Sequence, residues 1–491
     1  LHVAAITQAI CDGRKQFGAT GPIFVGQDTH ALSQPALVTV LEVLAGNGVT
    51  AMVDCDMDFV PTPSVSRAII RYNEEHDDKA DGIIITPSHN PPDNGGIKYN
   101  TIIGGPADTV VTKWIEMRAN EYLTAYCESE DFKRISIDNI EPTAQVPYDY
   151  KGLYVEELGD VINMEAIKAA GPKVLVDTLG GSGASYWNAI KERYGLDLTI
   201  IHDDYDPTFS FMTYDHDGKV RMDCSSTYVM ASVINRIGDF DLAVGNDPDY
   251  DRYGIVVSSG LISANTFLTL AARYLFTTRG WKNKGVGKTV VCTTMIDKWA
   301  ADAETPVFEV PVGFKYFSQL LFDGAIGIGG EESAGASFLK KDGTVWTTDK
   351  DGMIMALLSM EIMAVMGKSA LKMADESLEE FGNPSFGRID APCKKEQKQI
   401  LKQMSAELIT ATTVDGDPIT NIRTTSLYND MPIDGVRVET DKGWFVARPS
   451  GTEDLYKIYG ESYKGDLGLV ALLTAGEEIV NAALNGTIET E

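Results

Sequence analysis

Asp81-Gly82-Ile83-Ile84-Ile85-Thr86-Pro87-Ser88-His89-Asn90-Pro91-Pro92 decides the fold. A short run of β-branched residues behind an acid, broken by a proline-bracketed polar turn, predicts a buried strand that ends in a tight loop. The pattern returns twice. Asp241-Leu242-Ala243-Val244 leads into Asn246-Asp247-Pro248-Asp249-Tyr250-Asp251-Arg252, and Asp323-Gly324-Ala325-Ile326-Gly327-Ile328 leads into Gly329-Gly330-Glu331-Glu332-Ser333-Ala334-Gly335. The repeat is weak in letters and stronger in pattern. Ligands of open α/β sheets bind beyond the carboxyl ends of strands, so three related sheets would present these loops to one cleft.

Working outward, strand-like runs alternate with helix-length amphipathic segments through about the first 370 residues, which predicts an α/β class with mostly parallel pairing. Pro22–Val25 and Ala51–Val53 flank a helical pattern over Gln34–Leu44 that stops at Gly46-Asn47-Gly48, and a further helix follows Thr62-Pro63. Beyond about residue 385 the pattern changes: a helix over Lys394–Leu408, paired strands over Gly435–Thr440 and Trp444–Ala447 around a Lys442-Gly443 turn, and a closing helix over Leu467–Leu484. At 491 residues the chain exceeds one core. We expect three related α/β mixed-sheet domains, 1–150, 151–262 and 263–385, and a C-terminal α+β domain, 386–491, around a central cleft.

The net charge of −29 argues against nucleic acid or an anionic membrane as partner. An anionic small molecule needs cations gathered locally, and Lys98, Arg252, Lys315, Arg448 and Lys457 lie in or beside the polar loops. Six cysteines show neither a Cys-x-x-Cys pair nor a zinc spacing, so the default is a reducing cytoplasm. No stretch approaches 18 consecutive apolar residues, so no membrane span is expected. Leu1-His2-Val3-Ala4-Ala5-Ile6 lacks the basic start of a signal peptide, and the chain is expected to begin inside a longer one.

Ser88, held after a buried strand, is a candidate phosphoryl carrier; serine is a weak nucleophile and needs a base or a metal beside it. Asp247, Asp249 and Asp251 alternate, which in an extended, solvent-facing loop aims three carboxylates at one hard cation. An EF-hand is excluded, because its required glycine and glutamate positions hold Arg252 and Ser258. Gly96-Ile97-Lys98 and Gly313-Phe314-Lys315 each place a lysine after a glycine turn. Arg448-Pro449-Ser450-Gly451-Thr452 offers a guanidinium, hydroxyls and backbone N–H groups suited to a phosphate dianion. Two other patterns read as ordinary turns. Gly287-Lys288-Thr289 resembles the end of a P-loop, but Lys282 occupies the earlier glycine position and Val290-Val291 reads as continuing strand. Gly181-Ser182-Gly183 has Tyr186 where a dinucleotide fingerprint needs its third glycine.

The four loops together resemble those of the α-D-phosphohexomutases, most nearly the bacterial phosphoglucomutases, over nearly the whole chain. The resemblance implies an isomerase that interconverts glucose 1-phosphate and glucose 6-phosphate through a phosphoserine at Ser88 and a glucose 1,6-bisphosphate intermediate, with the bisphosphate as activator. It implies Mg2+ held by Asp247, Asp249, Asp251 and Ser88. His89 would orient the loop or phosphate, Lys98 would serve as general acid or base, Arg252 would hold phosphate, and Lys315, with Gly313, would contact substrate. Glu331 and Ser333 would bind sugar hydroxyls. Arg448, Ser450, Gly451 and Thr452 would bind phosphate, with Lys457 supplying a second charge. Mannose-active members commonly carry Met and then Gly-His in the third loop; Glu332 and Ala334-Gly335 stand here and favour glucose. The alternatives are a phosphomannomutase or dual-specificity mutase, or a non-catalytic sugar-phosphate or cation-binding protein of the same fold. The implied partners are hexose phosphates, with no nucleic acid and no membrane, in a cytoplasmic monomer or homodimer. The family's Gly-Thr-Ser-Gly-x-Arg segment is not among these residues.

Overall fold

The computed structural model describes residues 1–125, 132–449 and 455–488. They fall into two compact units. The first comprises 1–264, 274–281 and 314–371, and the second 265–273, 282–313 and 372–491.

In the first unit, β1 (Ile23–Gln27), β2 (Ala51–Asp54), β3 (Asp81–Ile85), β4 (Lys98–Asn100) and β5 (Gln145–Tyr148) form a sheet in the order β4-β3-β1-β2-β5. Only β4 runs antiparallel to its neighbour. The isoleucine run of β3 is apolar on both sides because both faces are covered. Ile83 and Ile85 join a core with the helices His2–Gly13 and Ser33–Gly46, while Ile84 packs with Phe24 against Thr62–Glu75. The last of these helices carries Pro63 in its first turn, where a missing N–H costs nothing. Asp81 is fully buried and is held by the Arg14 guanidinium at 2.6 Å and the Tyr99 hydroxyl at 2.7 Å. The acid before the strand is thus an internal anchor, and removing Arg14 would strand a buried charge at a cost of about 3–5 kcal/mol.

A second sheet is built from β6 (Val174–Asp177), β7 (Leu198–Ile201), β8 (Leu242–Asn246), β9 (Tyr253–Val257) and β10 (Gly260–Leu261), ordered β10-β9-β8-β6-β7. The third α/β segment contributes β11 (Gly285–Thr289) and β12 (Val307–Val310), a parallel pair in the second unit. It also contributes β13 (Ile326–Gly330) and β14 (Ala336–Phe338), an antiparallel pair in the first unit.

One device recurs: β3, β8 and β13 each run into a polar loop and return on an antiparallel partner, β4, β9 and β14. Parallel pairs outnumber antiparallel ones in these segments, as expected, and each segment adds an antiparallel return, because a loop of this length lets the chain double back while a parallel partner needs a crossover. The motif loops and their return strands all belong to the first unit.

In the second unit, β15 (Ser385–Pro392), β16 (Thr413–Val414), β17 (Asp417–Thr425), β18 (Pro432–Thr440), β19 (Gly443–Pro449) and β20 (Leu455–Ser462) form a sheet ordered β15-β20-β19-β18-β17-β16. The β18–β19 turn falls where the sequence places it, with Thr440 opposite Gly443. The helix expected over Lys394–Leu408 ends at Lys402, because Ser405 accepts from Glu407 N and starts a separate 3-10 turn at Ala406–Leu408. The closing helix, Gly465–Ile488, is long and apolar enough over 465–485 to cross a membrane by length and composition. It lays Leu472, Leu473, Val480 and Leu484 into the core of this sheet. The strand read through Val290-Val291 ends at Thr289; Lys288 is a buried strand residue paired with Asp297, not a P-loop lysine.

Candidate active site

Ser88 sits just past the carboxyl end of β3 with φ of +59°, a left-handed backbone that a non-glycine residue keeps only when its surroundings hold it there. The holding groups lie beneath it. Fully buried Asp28 accepts from Thr86 Oγ1 at 2.6 Å, and Thr86 Oγ1 accepts from Ser88 N at 2.8 Å. Asp28 also binds His30 Nδ1 at 2.8 Å, and the far ring nitrogen of His30 meets the carbonyl of Asn90 at 2.9 Å. Burial works against charge on His30, yet the Asp28 contact prevails and raises its pKa.

The aspartate loop lies directly opposite. Ser88 Oγ donates to Asp247 Oδ2 at 3.2 Å and lies 3.2 Å from His89 Nδ1. Asp247, Asp249 and Asp251 offer ligand atoms that all lie within 4.8 Å of one another. The loop is not solvent-facing as expected: all three side chains are fully buried. One cause is the Gly181-Ser182-Gly183 turn. Ser182 donates to Pro248 O at 2.8 Å, and a Cβ at Gly183 would stand 2.3 Å from the Tyr250 ring. Those glycines therefore allow a close approach to the aspartate loop, which is more than the ordinary turn expected.

Burying three carboxylates demands compensation. Lys98, the first residue of β4, donates to Asp249 Oδ2 at 2.6 Å and Asp251 Oδ2 at 2.9 Å; Lys350 reaches Asp251 Oδ2 at 2.9 Å. Burial disfavours the Lys98 ammonium, but the two aspartates overcome it and hold the pKa well above the usual lysine value. Burial likewise pushes on Asp251, and Lys350, Lys98 and Arg252 outweigh it, keeping this carboxyl far below its ordinary range. Asp247 goes the other way, raised by burial and by repulsion from Asp249 and Asp251. His89 is pushed down to about 4 by burial and by Arg252, so its ring is neutral near pH 7.

The donor set fits a divalent cation. Oδ1 of Asp249 and Oδ1 of Asp251 are buried without a hydrogen-bond partner, while Asp247 Oδ2 meets only the Ser88 hydroxyl among the described residues. Hard carboxylate oxygens left in this way suit a hard divalent cation.

The third loop joins the second through backbone: Tyr253 N donates to Ala334 O at 3.1 Å, and Arg252 bridges to Gly335. Glu331 is almost fully buried and its carboxyl is raised to about 7, chiefly by burial, with Lys350 opposing and Glu332 adding to the rise. Ser333 is half-buried beside it. Lys315 opens the helix Lys315–Phe322 and donates to Thr109 Oγ1 at 2.6 Å. Gly313 has φ of +133° and belongs to the second unit.

Also in the second unit, Arg448 on β19 stands directly opposite Lys457 on β20, and the Arg448 Nε is buried without a partner among the described residues. Ser450, Gly451 and Thr452 lie outside the described residues.

The sequence reading missed Lys350, Asp28, His30 and Thr62; Thr62 Oγ1 donates to Asp249 Oδ2 at 2.7 Å. Asp28 and His30 follow the end of β1 just as Ser88 follows β3, a signal that was available. Lys350 lies after a strand-poor stretch, Thr347-Thr348-Asp349, with nothing local to mark it.

Residues 1–125, 153–260 and 263–381 match the descriptions phosphoglucomutase/phosphomannomutase, alpha/beta/alpha domains I, II and III, and 390–467 matches the C-terminal domain. A phosphoglucomutase of Komagataeibacter xylinus is 47% identical over 98% of this chain and 87% of the relative. The chain belongs to the phosphoglucomutase/phosphomannomutase family. Within that family, phosphoglucomutase 1 of Saccharomyces cerevisiae is 26% identical over 94% of this chain and 84% of its own. The same fold occurs in parafusin from Paramecium, with a TM-score of 0.75 at 20% identity over 98% of this chain and 91% of that one. A family protein from Burkholderia thailandensis gives 0.75 at 20% identity over 98% and 93%.

Proposed function

We propose that this enzyme is a phosphoglucomutase that interconverts glucose 1-phosphate and glucose 6-phosphate. The observation that carries the reading is Ser88, on a strained loop, 3.2 Å from a carboxylate of a buried three-aspartate cluster. The Komagataeibacter relative, 47% identical over nearly the whole chain, supports the same activity.

Phosphorylated Ser88 gives its phosphoryl to the free sugar hydroxyl: the bond from phosphorus to Ser88 Oγ breaks, a bond to the sugar oxygen forms, and the hydroxyl proton passes to a base. The product, glucose 1,6-bisphosphate, reorients and returns its other phosphoryl to Ser88. The neutral ring of His89, 3.2 Å from Ser88 Oγ, is the candidate to accept that proton, and the Lys98 ammonium, held charged by Asp249 and Asp251, is the candidate acid for the departing Ser88 oxygen. Arg252 balances phosphate charge. Asp247, Asp249, Asp251 and phosphorylated Ser88 would hold Mg2+, which would supply Lewis-acid stabilisation of the charge on the transferring group. Glu331 and Ser333 orient sugar hydroxyls, while Gly313 and Lys315 contact substrate. Arg448, Lys457 and residues 450–452 serve as the phosphate-binding element of the second unit. Cys11, Cys55, Cys224, Cys292 and Cys393 are all free thiols, which supports a reducing, cytoplasmic setting.

The test is an assay of glucose 1-phosphate and mannose 1-phosphate with Mg2+ and glucose 1,6-bisphosphate. A preference for glucose in kcat/KM is expected, since an epimer leaves buried polar groups unpaired at about 1–3 kcal/mol each. Equal rates on both sugars would favour a dual-specificity mutase, and no turnover of either would end the mutase reading.

A further inference from the structure

The long connection between β7 and β8 places Arg221-Met222-Asp223 against the serine loop, although the chemistry above assigns it nothing. Met222 N donates to His89 O at 3.0 Å, and Arg221 Nη1 donates to Asn90 Oδ1 at 3.2 Å. Asp223 Oδ2 lies 3.5 Å from Arg252 Nη1 and 3.9 Å from His89 Nε2. One carboxylate oxygen therefore faces both the His89 ring, which lies beside Ser88 Oγ, and the Arg252 guanidinium.

The segment is firmly seated. Met222 and Cys224 are fully buried, and a Cβ at Gly254 on β9 would stand 2.4 Å from Cys224 O. The other oxygen of Asp223 accepts from Ser225 N at 3.0 Å and Ser225 Oγ at 2.7 Å, which fixes the carboxylate plane. Arg252 has a competing acid, because its Nε lies 3.9 Å from Asp251 Oδ1. Without Asp223, Asp251 is the nearest carboxylate to that guanidinium among the described residues, and a metal-ligand candidate would be drawn into an ion pair.

We infer that Asp223 is a positioning residue for phosphoryl transfer at Ser88, holding Arg252 off Asp251 and fixing the His89 ring beside the serine. The inference rests on the phosphoserine mutase reading of this site. A displaced guanidinium weakens stabilisation of charge that develops in the transition state, so the loss falls on kcat rather than on KM.

The experiment compares the wild-type chain with Asp223→Asn, Asp223→Ala, Arg252→Ala and Asp223→Ala/Arg252→Ala, assayed with Mg2+ and glucose 1,6-bisphosphate. Asp223→Asn keeps the shape and removes the charge; we expect kcat to fall about 10- to 100-fold, with KM for glucose 1-phosphate changed less than about threefold. The double variant should be no slower than Arg252→Ala within about threefold, because the two side chains act as one unit. Asp223→Asn with wild-type kcat, or single losses that multiply in the double variant, would overturn the inference. A wild-type chain without mutase activity would instead remove the functional reading. A crystal structure of Asp223→Asn then decides the positioning alone: Arg252 turned toward Asp251 supports it, and Arg252 and His89 unmoved refute it.

Discussion

The serine and aspartate loops of the first unit and the Arg448 edge of the second carry charge in opposite ways. In the first, three carboxylates are fully buried, Asp249 and Asp251 met by Lys98, Lys350 and Thr62 and Asp247 by Ser88 Oγ and Arg252 N, and the serine backbone rests on buried Asp28. In the second, Arg448 and Lys457 stand opposite one another on neighbouring strands, two adjacent cations, with Asp390 on β15 opposite Lys457 on its other side. Groups desolvated and mutually paired are preorganised for a fixed geometry, whereas neighbours of like sign at half-exposed strand positions can take up an anion from solution. On the proposed function, the contrast separates a place where bonds are exchanged from a place where an anion is taken up and let go.

Substitutions test this contrast most severely at Ser88. Ser88→Ala should remove turnover, a loss of at least about 10⁴-fold, since no other group in the loop replaces the carrier. Intact mass should show one phosphate on the wild-type chain and none on the variant; turnover with no phosphorylation would refute the phosphoserine route. Asp249→Asn comes next, with kcat lowered by about 10²- to 10³-fold and Mg2+ affinity reduced in calorimetric titration. Unaltered metal affinity would remove Asp249 from the ligand set.

The second region should respond more mildly. Arg448→Ala removes charge-assisted bonds worth about 1.5–3 kcal/mol, or roughly a 10- to 150-fold loss in kcat/KM in both reaction directions, with Ser88 still phosphorylated. Impairment in one direction only would limit this residue to a single binding mode.

Glu331 gives the smallest expected effect and one with a definite sign. Its carboxyl is raised to about 7 by burial, so it is largely protonated below that pH and becomes a full acceptor for sugar hydroxyls above it. From pH 6 to 8 the wild-type kcat/KM should rise about three- to fivefold more than that of Glu331→Gln, because the substrate's own phosphate titrates equally in both. Parallel profiles would show that this carboxyl does not titrate in the free enzyme. Stability follows the same proton: a raised carboxyl pKa favours folding at low pH, and that contribution is lost as pH rises through about 7.

The strand-and-loop repeat was legible because β-branched runs and proline-rich turns are local signals, and Ser88, Asp247, Asp249, Asp251, Arg252 and Lys98 come together as their loops suggested. Burial of the aspartates was not legible. It depends on the glycine turn at 181–183, far away in the chain, which reads as unremarkable until Tyr250 is seen against it. Lys350 was hidden for a similar reason: its partner Asp251 lies about 100 residues earlier, and an isolated lysine is ordinarily a solvated one. The break after Lys402 turned on a serine hydroxyl competing for backbone, a choice that helical periodicity does not register.

Lys98, shared between Asp249 and Asp251, has a further consequence for handling the protein. Small zinc domains fold only when metal arrives, so stripping the ion destroys them. Here the carboxylates already have covalently attached counter-ions in two lysines, and the surrounding strands are anchored by their own cores. The stripped protein should therefore remain folded and reloadable. Exchanging Mg2+ for Mn2+, Co2+ or Zn2+ would then compare the ions as chemical reagents in one unchanged scaffold, a comparison that metal-dependent folding would forbid.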